Sequence, residues 1–121
     1  MAQHYPTIRF ASNELRDWAS FHEACAKKFG FPDYYGRNRD AWIDCMRGDE
    51  LAPGNPADDA SIDILLVEFP NTHGVSGEMK DVCEFLYSGF ASVNDYRRKV
   101  GCRPLFVLVD SPEYGGQDAR V

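Results

Sequence analysis

A chain of 121 residues, 44% hydrophobic and 26% charged, has the length and composition of one globular domain with a modest core. Its formal net charge of -6 speaks against a nucleic-acid partner, because phosphate binding requires a basic surface, and favours a cationic partner. No apolar run has membrane-spanning length and the N-terminus lacks the pattern of a signal peptide, so we expect a cytoplasmic protein that contacts no membrane.

The first predicted elements are a short strand and an amphipathic helix. Residues 7–10, TIRF, have strand character, and Ser12 or Asn13 can cap the helix that follows. Mostly apolar side chains then recur at intervals of three and four residues: Leu15, Trp18, His22, Cys25 and Phe29. This stripe predicts an amphipathic helix, which Gly30 and Pro32 would end.

The second predicted helix begins at Asn38, whose side chain can accept a hydrogen bond from an early backbone N–H. Gly36, just before it, can adopt a positive φ for the turn. Winding residues 38–48 at about 100° per residue separates an apolar side from a charged side. The apolar side consists of Asn38, Ala41, Trp42 and Cys45. The charged side consists of Asp40, Asp44 and Arg47, with Ile43 at its flank.

The charged side of this helix has two interpretations. In the first it is an ordinary solvated face, on which Arg47 pairs with Asp44 and offsets the repulsion between two carboxylates one turn apart. In the second it binds a protein, because residues 31–68 carry three basic and nine acidic groups and therefore the whole net charge of the chain. Adjacent aromatic and aliphatic groups favour the second interpretation. These groups are Ile43 and the pair Tyr34 and Tyr35, of which at least one must be largely exposed.

Two nearly continuous apolar runs, residues 62–69 and 104–110, predict two further strands. Runs of this kind suit strands that are buried on both faces of a parallel sheet. Together with the helical sequence around them, they predict an α/β fold in which helices make right-handed crossovers between parallel strands.

The helical sequence between these two runs is interrupted at Ser88-Gly89, which predicts two helices. Ser92 and Asp95 would form the capping box of the second one, and Gly101 would end it. The whole chain is predicted to consist of a single domain over residues 1–110, with a loop at residues 51–60, and a flexible tail at residues 111–121.

Residues 31–45, FPDYYGRNRDAWIDC, resemble the barstar family of small intracellular ribonuclease inhibitors. The segments LLVEF and GCRPLFVLV resemble the central strand and the last strand of that family, so the resemblance extends over roughly residues 5–110. It implies a three-stranded parallel sheet with about four to five helices packed on it, in agreement with the order of elements predicted above.

The resemblance also implies a function, the inhibition of a ribonuclease by filling its basic, phosphate-binding cleft. By motif position, Tyr34 would pack against the catalytic region of the enzyme, and Asp40 would meet cationic groups at the edge of the cleft. Asp44 would lie where a substrate phosphate lies, and Gly48 matches a glycine that lets the two backbones approach. The implied partner is a small secreted ribonuclease, bound by a monomeric inhibitor.

Three further positions of this expected surface depart from the family pattern. Ile43 stands where the family has a tryptophan, Arg47 where it has a threonine, and Tyr96 where the founding inhibitor has a glutamate. These changes indicate a target other than the original one. They leave open an alternative function, a non-inhibitory adaptor or an immunity protein for a partner that is not a ribonuclease.

We expect neither catalytic residues nor a cofactor. His22 and Cys25 are one turn apart on a helix, but no paired spacing of histidines and cysteines predicts a metal site. Asp40 and Asp44 lie on a convex helix face, which lacks the burial that tunes an acid–base pair. The cysteines are predicted to be small buried thiols: Cys25, Cys45, Cys83 and Cys102.

Overall fold

A three-stranded parallel sheet forms the base of the fold in the computed structural model, which describes residues 5–49 and 55–110. The strands are β1 (Thr7–Arg9), β2 (Ile64–Phe69) and β3 (Leu105–Asp110), and β2 lies in the centre. Val67 pairs with Ile8 on one side and with Leu108 on the other. The predicted α/β class and the parallel sheet are confirmed.

Burial in the central strand follows a period of two residues. In β2, Leu65, Val67 and Phe69 are turned to the core and the residues between them are half-buried. In β3, Phe106 is buried whereas Val107 is exposed. The prediction that both runs are buried on both faces is therefore wrong, because the core covers one face of the sheet and the apolar residues of the other face keep some contact with solvent.

The first helix, α1 (Trp18–Phe29), begins later than predicted. Its N-cap is Asp17, whose carboxylate accepts a hydrogen bond of 2.8 Å from the backbone N–H of Ser20. Residues Ser12–Glu14 form a separate 3-10 turn, so the prediction of a cap at Ser12 or Asn13 is wrong. The helix ends as predicted at Gly30, which adopts a left-handed φ of 69°.

The third helix, α3 (Gly77–Val100), is unbroken over 24 residues. The predicted interruption at Ser88-Gly89 is therefore wrong, and so is the capping box, since Ser92 lies in the middle of the helix. The described residues accordingly contain three α-helices instead of four or five. Gly101 ends α3 as predicted. Neither α3 nor another helix of the described residues is long and apolar enough to cross a membrane.

Gly89 has a packing role instead of a helix-breaking one. A Cβ atom at this position would lie 2.9 Å from Cζ3 of Trp42 and 3.2 Å from Cζ of Phe85. Trp42 belongs to the second helix, α2 (Arg39–Asp44). The missing side chain therefore lets α2 lie close against α3, which matters more at this position than the low helix propensity of glycine.

A chain of aromatic contacts connects α2 to the sheet through α3. The ring centroids of Trp42 and Phe90 are 5.0 Å apart, and those of Phe90 and Phe106 are 5.3 Å apart. Phe29 of α1 also packs edge-on against Phe106, at 6.2 Å. Aromatic pairs at these distances contribute beyond the area they bury, so the position of α2 is set by the central core.

The four cysteines lie inside this core or at its border, and none of them forms a disulfide. Cys25, Cys45 and Cys83 are buried and Cys102 is half-buried, which confirms the prediction for the first three. Burial raises the pKa of Cys25, although a hydrogen bond from Trp42 opposes the change. These thiols therefore act as small apolar groups that fill space.

Gly89→Ala should lower the free energy of unfolding by about 1–3 kcal/mol, because the added methyl group overpacks the contact with Trp42. The sign is diagnostic, since the same change at an uncrowded helix position raises stability by about 1 kcal/mol. Urea unfolding followed by circular dichroism measures the difference, with the exposed neighbour Ser88→Ala as control. A stabilised Gly89→Ala variant would contradict the close packing of α2 on α3.

Candidate protein-binding face

Helix α2 begins where the sequence predicts. The side chain of Asn38 accepts a hydrogen bond of 2.8 Å from the backbone N–H of Ala41, and Asn38 itself has the extended backbone of an N-cap. Asp40 follows in the first turn, where the helix dipole favours a negative charge. The start of α2 is therefore stabilised by its own sequence, and Arg39, its first residue, also contacts the ring of Trp18 on α1, with Cζ 5.4 Å from the ring centroid.

The rotation of α2 about its axis is set by Trp42. This side chain is fully buried, and its indole Nε1–H donates to Sγ of Cys25 on α1 at 3.3 Å. Cys45, one turn later, is also buried, and Ala41 is half-buried. Asn38, predicted on the same side, is exposed and acts as the cap. The apolar side predicted by winding is thus confirmed except at its first residue.

The opposite side of α2 carries two exposed carboxylates one turn apart, Asp40 and Asp44. Neither forms an ion pair with any residue that the structure describes, so the predicted pair of Asp44 with Arg47 does not form there. Ile43 is half-buried and packs against the core. We call Tyr34, Asp40 and Asp44, with the exposed edge of Ile43, the acidic face.

The two adjacent tyrosines before α2 have different environments. Tyr35 is buried, its hydroxyl forms a hydrogen bond with Nδ1 of His22, and its ring packs edge-on against Phe31 at 4.7 Å. Tyr34 is 76% exposed, as one of the two was predicted to be. Because Tyr35 ties this loop to α1, the exposed ring of Tyr34 is presented from a fixed stretch of backbone.

The turn between the tyrosines and α2 differs from the prediction. The positive φ lies at Arg37, at 55°, and not at Gly36, where a Cβ would approach Nδ2 of Asn38 to 3.3 Å. Nη2 of Arg37 lies 3.1 Å from Oε1 of Glu23 on α1, so an exposed ion pair holds this strained residue. The prediction of a positive φ at Gly36 is therefore wrong. The small size of Gly36 instead makes room for the side chain of Asn38.

The far end of α2 is held by a buried arginine that the sequence did not reveal as a functional or structural residue. Arg97 of α3 is almost fully buried and donates to three backbone carbonyls: those of Pro104 at 2.9 Å, Met46 at 3.1 Å and Ala57 at 3.4 Å. Burial lowers the pKa of its guanidinium, although an arginine remains charged at neutral pH. One side chain therefore connects the segment after α2, the following loop and the start of β3.

A signal for Arg97 exists in the sequence. Leu86, Phe90 and Val93 recur at intervals of four and three residues and are all buried, and Arg97 continues the series after four more. An arginine on the apolar stripe of a helix must satisfy its donors inside the protein. Arg97, Arg98 and Lys99 form a run of three basic residues, which makes the apolar pattern difficult to recognise at Arg97.

Two predicted site residues from different elements meet beside the acidic face. After α2 the chain continues as a π-helical segment, Cys45–Asp49, which packs on α3. Within it, Cζ of Arg47 lies 4.5 Å from the centroid of the Tyr96 ring, a cation–π contact. Arg47 thus contacts Tyr96 and forms no ion pair with Asp44. The surroundings of Gly48 lie outside what the structure describes.

The arrangement suits the binding of a protein more than catalysis. The described residues contain no group of three or more histidine, cysteine, aspartate or glutamate side chains that could hold a metal ion. The acidic face is convex and its carboxylates are exposed, so nothing sequesters a substrate from water. The acidic face presents the negative charges of Asp40 and Asp44 on a helix that packs against the core through Trp42, together with the exposed ring of Tyr34.

Comparison with known proteins places this geometry in context. A family model described as Barstar (barnase inhibitor) matches residues 5–102, that is 98 of the 121 residues. The matched range contains the acidic face, Arg47, Tyr96 and Arg97. A search of curated proteins finds no match.

The stability of the protein should fall as the pH falls below about 6.5, in part because of His22. This imidazole is buried, and burial, followed by the positive charge of Arg37, lowers its pKa below the ordinary value. The unfolded chain therefore takes up a proton near pH 6.5, whereas folded His22 does so only at lower pH. The stabilisation is present above pH 6.5 and is lost as the pH falls toward the folded pKa.

Urea unfolding between pH 8 and pH 5 tests this dependence on His22. His22→Gln should show a shallower loss of unfolding free energy on acidification than the wild type. His73→Gln, which changes an exposed histidine, should keep the wild-type dependence. Equal pH dependence in the wild type and His22→Gln would contradict the burial of a neutral imidazole.

Arg97→Met should lower the free energy of unfolding by about 2–4 kcal/mol, because three backbone carbonyls lose a charged donor in the interior. Arg98→Met, a change of the same kind at the adjacent exposed position, should stay within about 0.5 kcal/mol of the wild type. Chemical denaturation of both variants measures the difference. Similar, small losses in both would contradict the anchoring role of Arg97.

Proposed function

This chain belongs to the barstar family and is therefore a protein of the ribonuclease-inhibitor type, and from this premise we propose how it acts. It binds a ribonuclease through the acidic face and fills the cationic active site of that enzyme. Asp44 occupies the position of a substrate phosphate, Asp40 pairs with cationic groups at the rim, and the ring of Tyr34 covers the catalytic region. RNA is then excluded because its site is occupied.

The observation that carries the proposal is the pair of exposed carboxylates on α2. Asp40 and Asp44 have no cationic partner among the described residues, and α2 beneath them is held by Trp42 and by the cap at Asn38. Like charges one turn apart destabilise a helix slightly, so they need another explanation. Carboxylates accept the same charge-assisted hydrogen bonds from arginine and lysine as phosphate oxygens do, which provides that explanation.

Preorganisation supports the same function. The loop that carries Tyr34 is tied to α1 through the hydrogen bond between Tyr35 and His22. A side chain on a backbone that is already fixed loses less conformational freedom on binding, and exposed aromatic rings are frequent hot spots of protein interfaces. Ile43 is aliphatic and smaller than the tryptophan that the family has at this position. More of the affinity therefore comes from Tyr34 and from the carboxylates of Asp40 and Asp44.

The chemistry of the partner follows from this assignment. The enzyme is a small ribonuclease with a cationic cleft, and opposite charges on the two surfaces accelerate their encounter. An inhibitor of this kind protects the cell that makes a secreted ribonuclease. We therefore propose that the protein acts in the cytoplasm, as a monomer that binds one enzyme molecule.

Asp44→Ala should weaken inhibition of the target ribonuclease at least thirtyfold. A thirtyfold change equals about 2 kcal/mol. Losses of this size or larger are general for charge pairs that are desolvated at interfaces, and the complex of barnase with its inhibitor from this family is one of the systems that define this range. The target is obtained by capture from a lysate of the source cells on immobilised wild-type protein, and its RNA cleavage is measured with each variant. The inhibition constant of the wild type should also rise with salt concentration.

Asp110→Ala is the matched control, because it removes the same charge from an exposed site at the far end of β3. Asp110 lies about 16 Å along β3 from Leu105. Leu105 directly follows Pro104, whose carbonyl accepts a hydrogen bond from Arg97. Capture that is indifferent to both Asp40 and Asp44 would contradict the assigned face. A captured nuclease that still cleaves RNA in the complex, or a partner without nuclease activity, would favour the adaptor function instead.

A further inference from the structure

Arg47 and Tyr96 form a positively charged point that adjoins the acidic face. Arg47 follows Asp44 by three residues, and its guanidinium lies over the Tyr96 ring at 4.5 Å. Both side chains are half-buried, so they are accessible from outside and also held by their surroundings. The proposed binding surface therefore carries negative charge on α2, at Asp40 and Asp44, and positive charge just after α2, at Arg47.

The hydrogen-bonding capacity of this guanidinium is not used within the part of the chain that the structure describes. Nε of Arg47 is buried and has no hydrogen-bond partner there. The terminal amino groups make no hydrogen bond to a described residue, and no described carboxylate pairs with Arg47. Asp95, the acidic residue next to Tyr96, is instead held by Lys99, with Oδ2 and Nζ 3.1 Å apart.

Stacking on an aromatic ring leaves the donors in the plane of a guanidinium free to bind an anion. The ring of Tyr96 lies against Cζ of Arg47 and Nε is buried, so the donors left for a ligand are those of the two terminal amino groups, whose spacing matches the two oxygens of a carboxylate. The stack also reduces the number of rotamers that Arg47 must lose on binding. Both effects favour recognition of one planar anion in a defined direction.

We propose, resting on the function proposed above, that Arg47 and Tyr96 bind an aspartate or glutamate side chain of the target ribonuclease, at the rim of its cationic cleft. The acidic face then meets the basic groups of the cleft while Arg47 meets an acidic group beside it. This arrangement selects among ribonucleases, because an enzyme with a basic residue at that point of its rim is repelled by Arg47.

The sign of the effect of a charge reversal at position 47 tests the proposal. With the captured ribonuclease, Arg47→Glu should bind at least tenfold more weakly than Arg98→Glu, and Arg47→Ala should lie between them. Arg98 is exposed, lies on the same helix as Tyr96 about 200° around its axis, and has no ion pair with a described residue. The two reversals change the net charge equally, so long-range electrostatics cancel in the comparison.

A second variant separates recognition from folding. Tyr96→Phe should keep the affinity within about threefold because the ring remains, whereas Tyr96→Leu should weaken it more, in the same direction as Arg47→Ala. Thermal unfolding of each free variant shows whether the fold is intact. Substitution of the matching acidic residue of the ribonuclease by lysine should restore binding to Arg47→Glu.

The outcomes distinguish this proposal from the function on which it rests. If Arg47→Glu binds as tightly as Arg98→Glu or more tightly, the group opposite is neutral or cationic and the proposal is overturned, while inhibition through Asp44 stands. If the captured partner is not a ribonuclease, the proposed function fails, and the same comparison of affinities for that partner still decides the charge opposite Arg47. A wild-type chain that captures no protein overturns both.

Discussion

The structure depends on one buried guanidinium that is held by backbone carbonyls. Arg97 brings together the carbonyls of Met46, Ala57 and Pro104, which belong to three segments that are distant in sequence. A charge inside a protein is tolerated only when its donors are satisfied, so the three segments must stay where they are as long as Arg97 is buried. The position of the chain after α2 is therefore coupled to the start of β3 by this side chain, in addition to the burial of Met46 in the core.

The two ends of α2 are thus held by different means, and this accounts for the binding surface. Trp42 and the cap at Asn38 hold the start and the rotation of the helix, and the bond from Arg97 to Met46 holds the segment that follows it. The carboxylates on the side turned away from the core make no ion pair with a described residue, and this side can concentrate charge at a small cost in stability. The division of α2 into a side packed on the core and an exposed side is what lets so short a helix present the proposed binding face.

The sequence predicted those features that depend on local patterns. The parallel sheet, the cap at Asn38 and the exposure of Asp40 and Asp44 follow from hydrophobic periodicity and helix geometry, and the family resemblance is confirmed by the match over residues 5–102. Some features that were missed are local, such as the cap of α1 at Asp17, but those that shape the site depend on contacts between distant residues. Gly89 reads as a helix break until the ring of Trp42 is placed against it. The spacing of three residues predicts that Arg47 pairs with Asp44, but the fold places Arg47 against the ring of Tyr96 on α3.

If the acidic face occupies the active site of a ribonuclease, this protein and RNA compete for the enzyme, and steady-state kinetics of RNA cleavage reveal that competition. The rate is measured over a range of RNA concentrations at several fixed concentrations of this protein. Occupation of the active site predicts that the apparent KM rises with inhibitor while kcat at saturating RNA stays unchanged, because RNA and Asp44 compete for the same cationic groups. A fall in kcat with an unchanged KM would mean that RNA and this protein bind the enzyme together, and it would contradict the account.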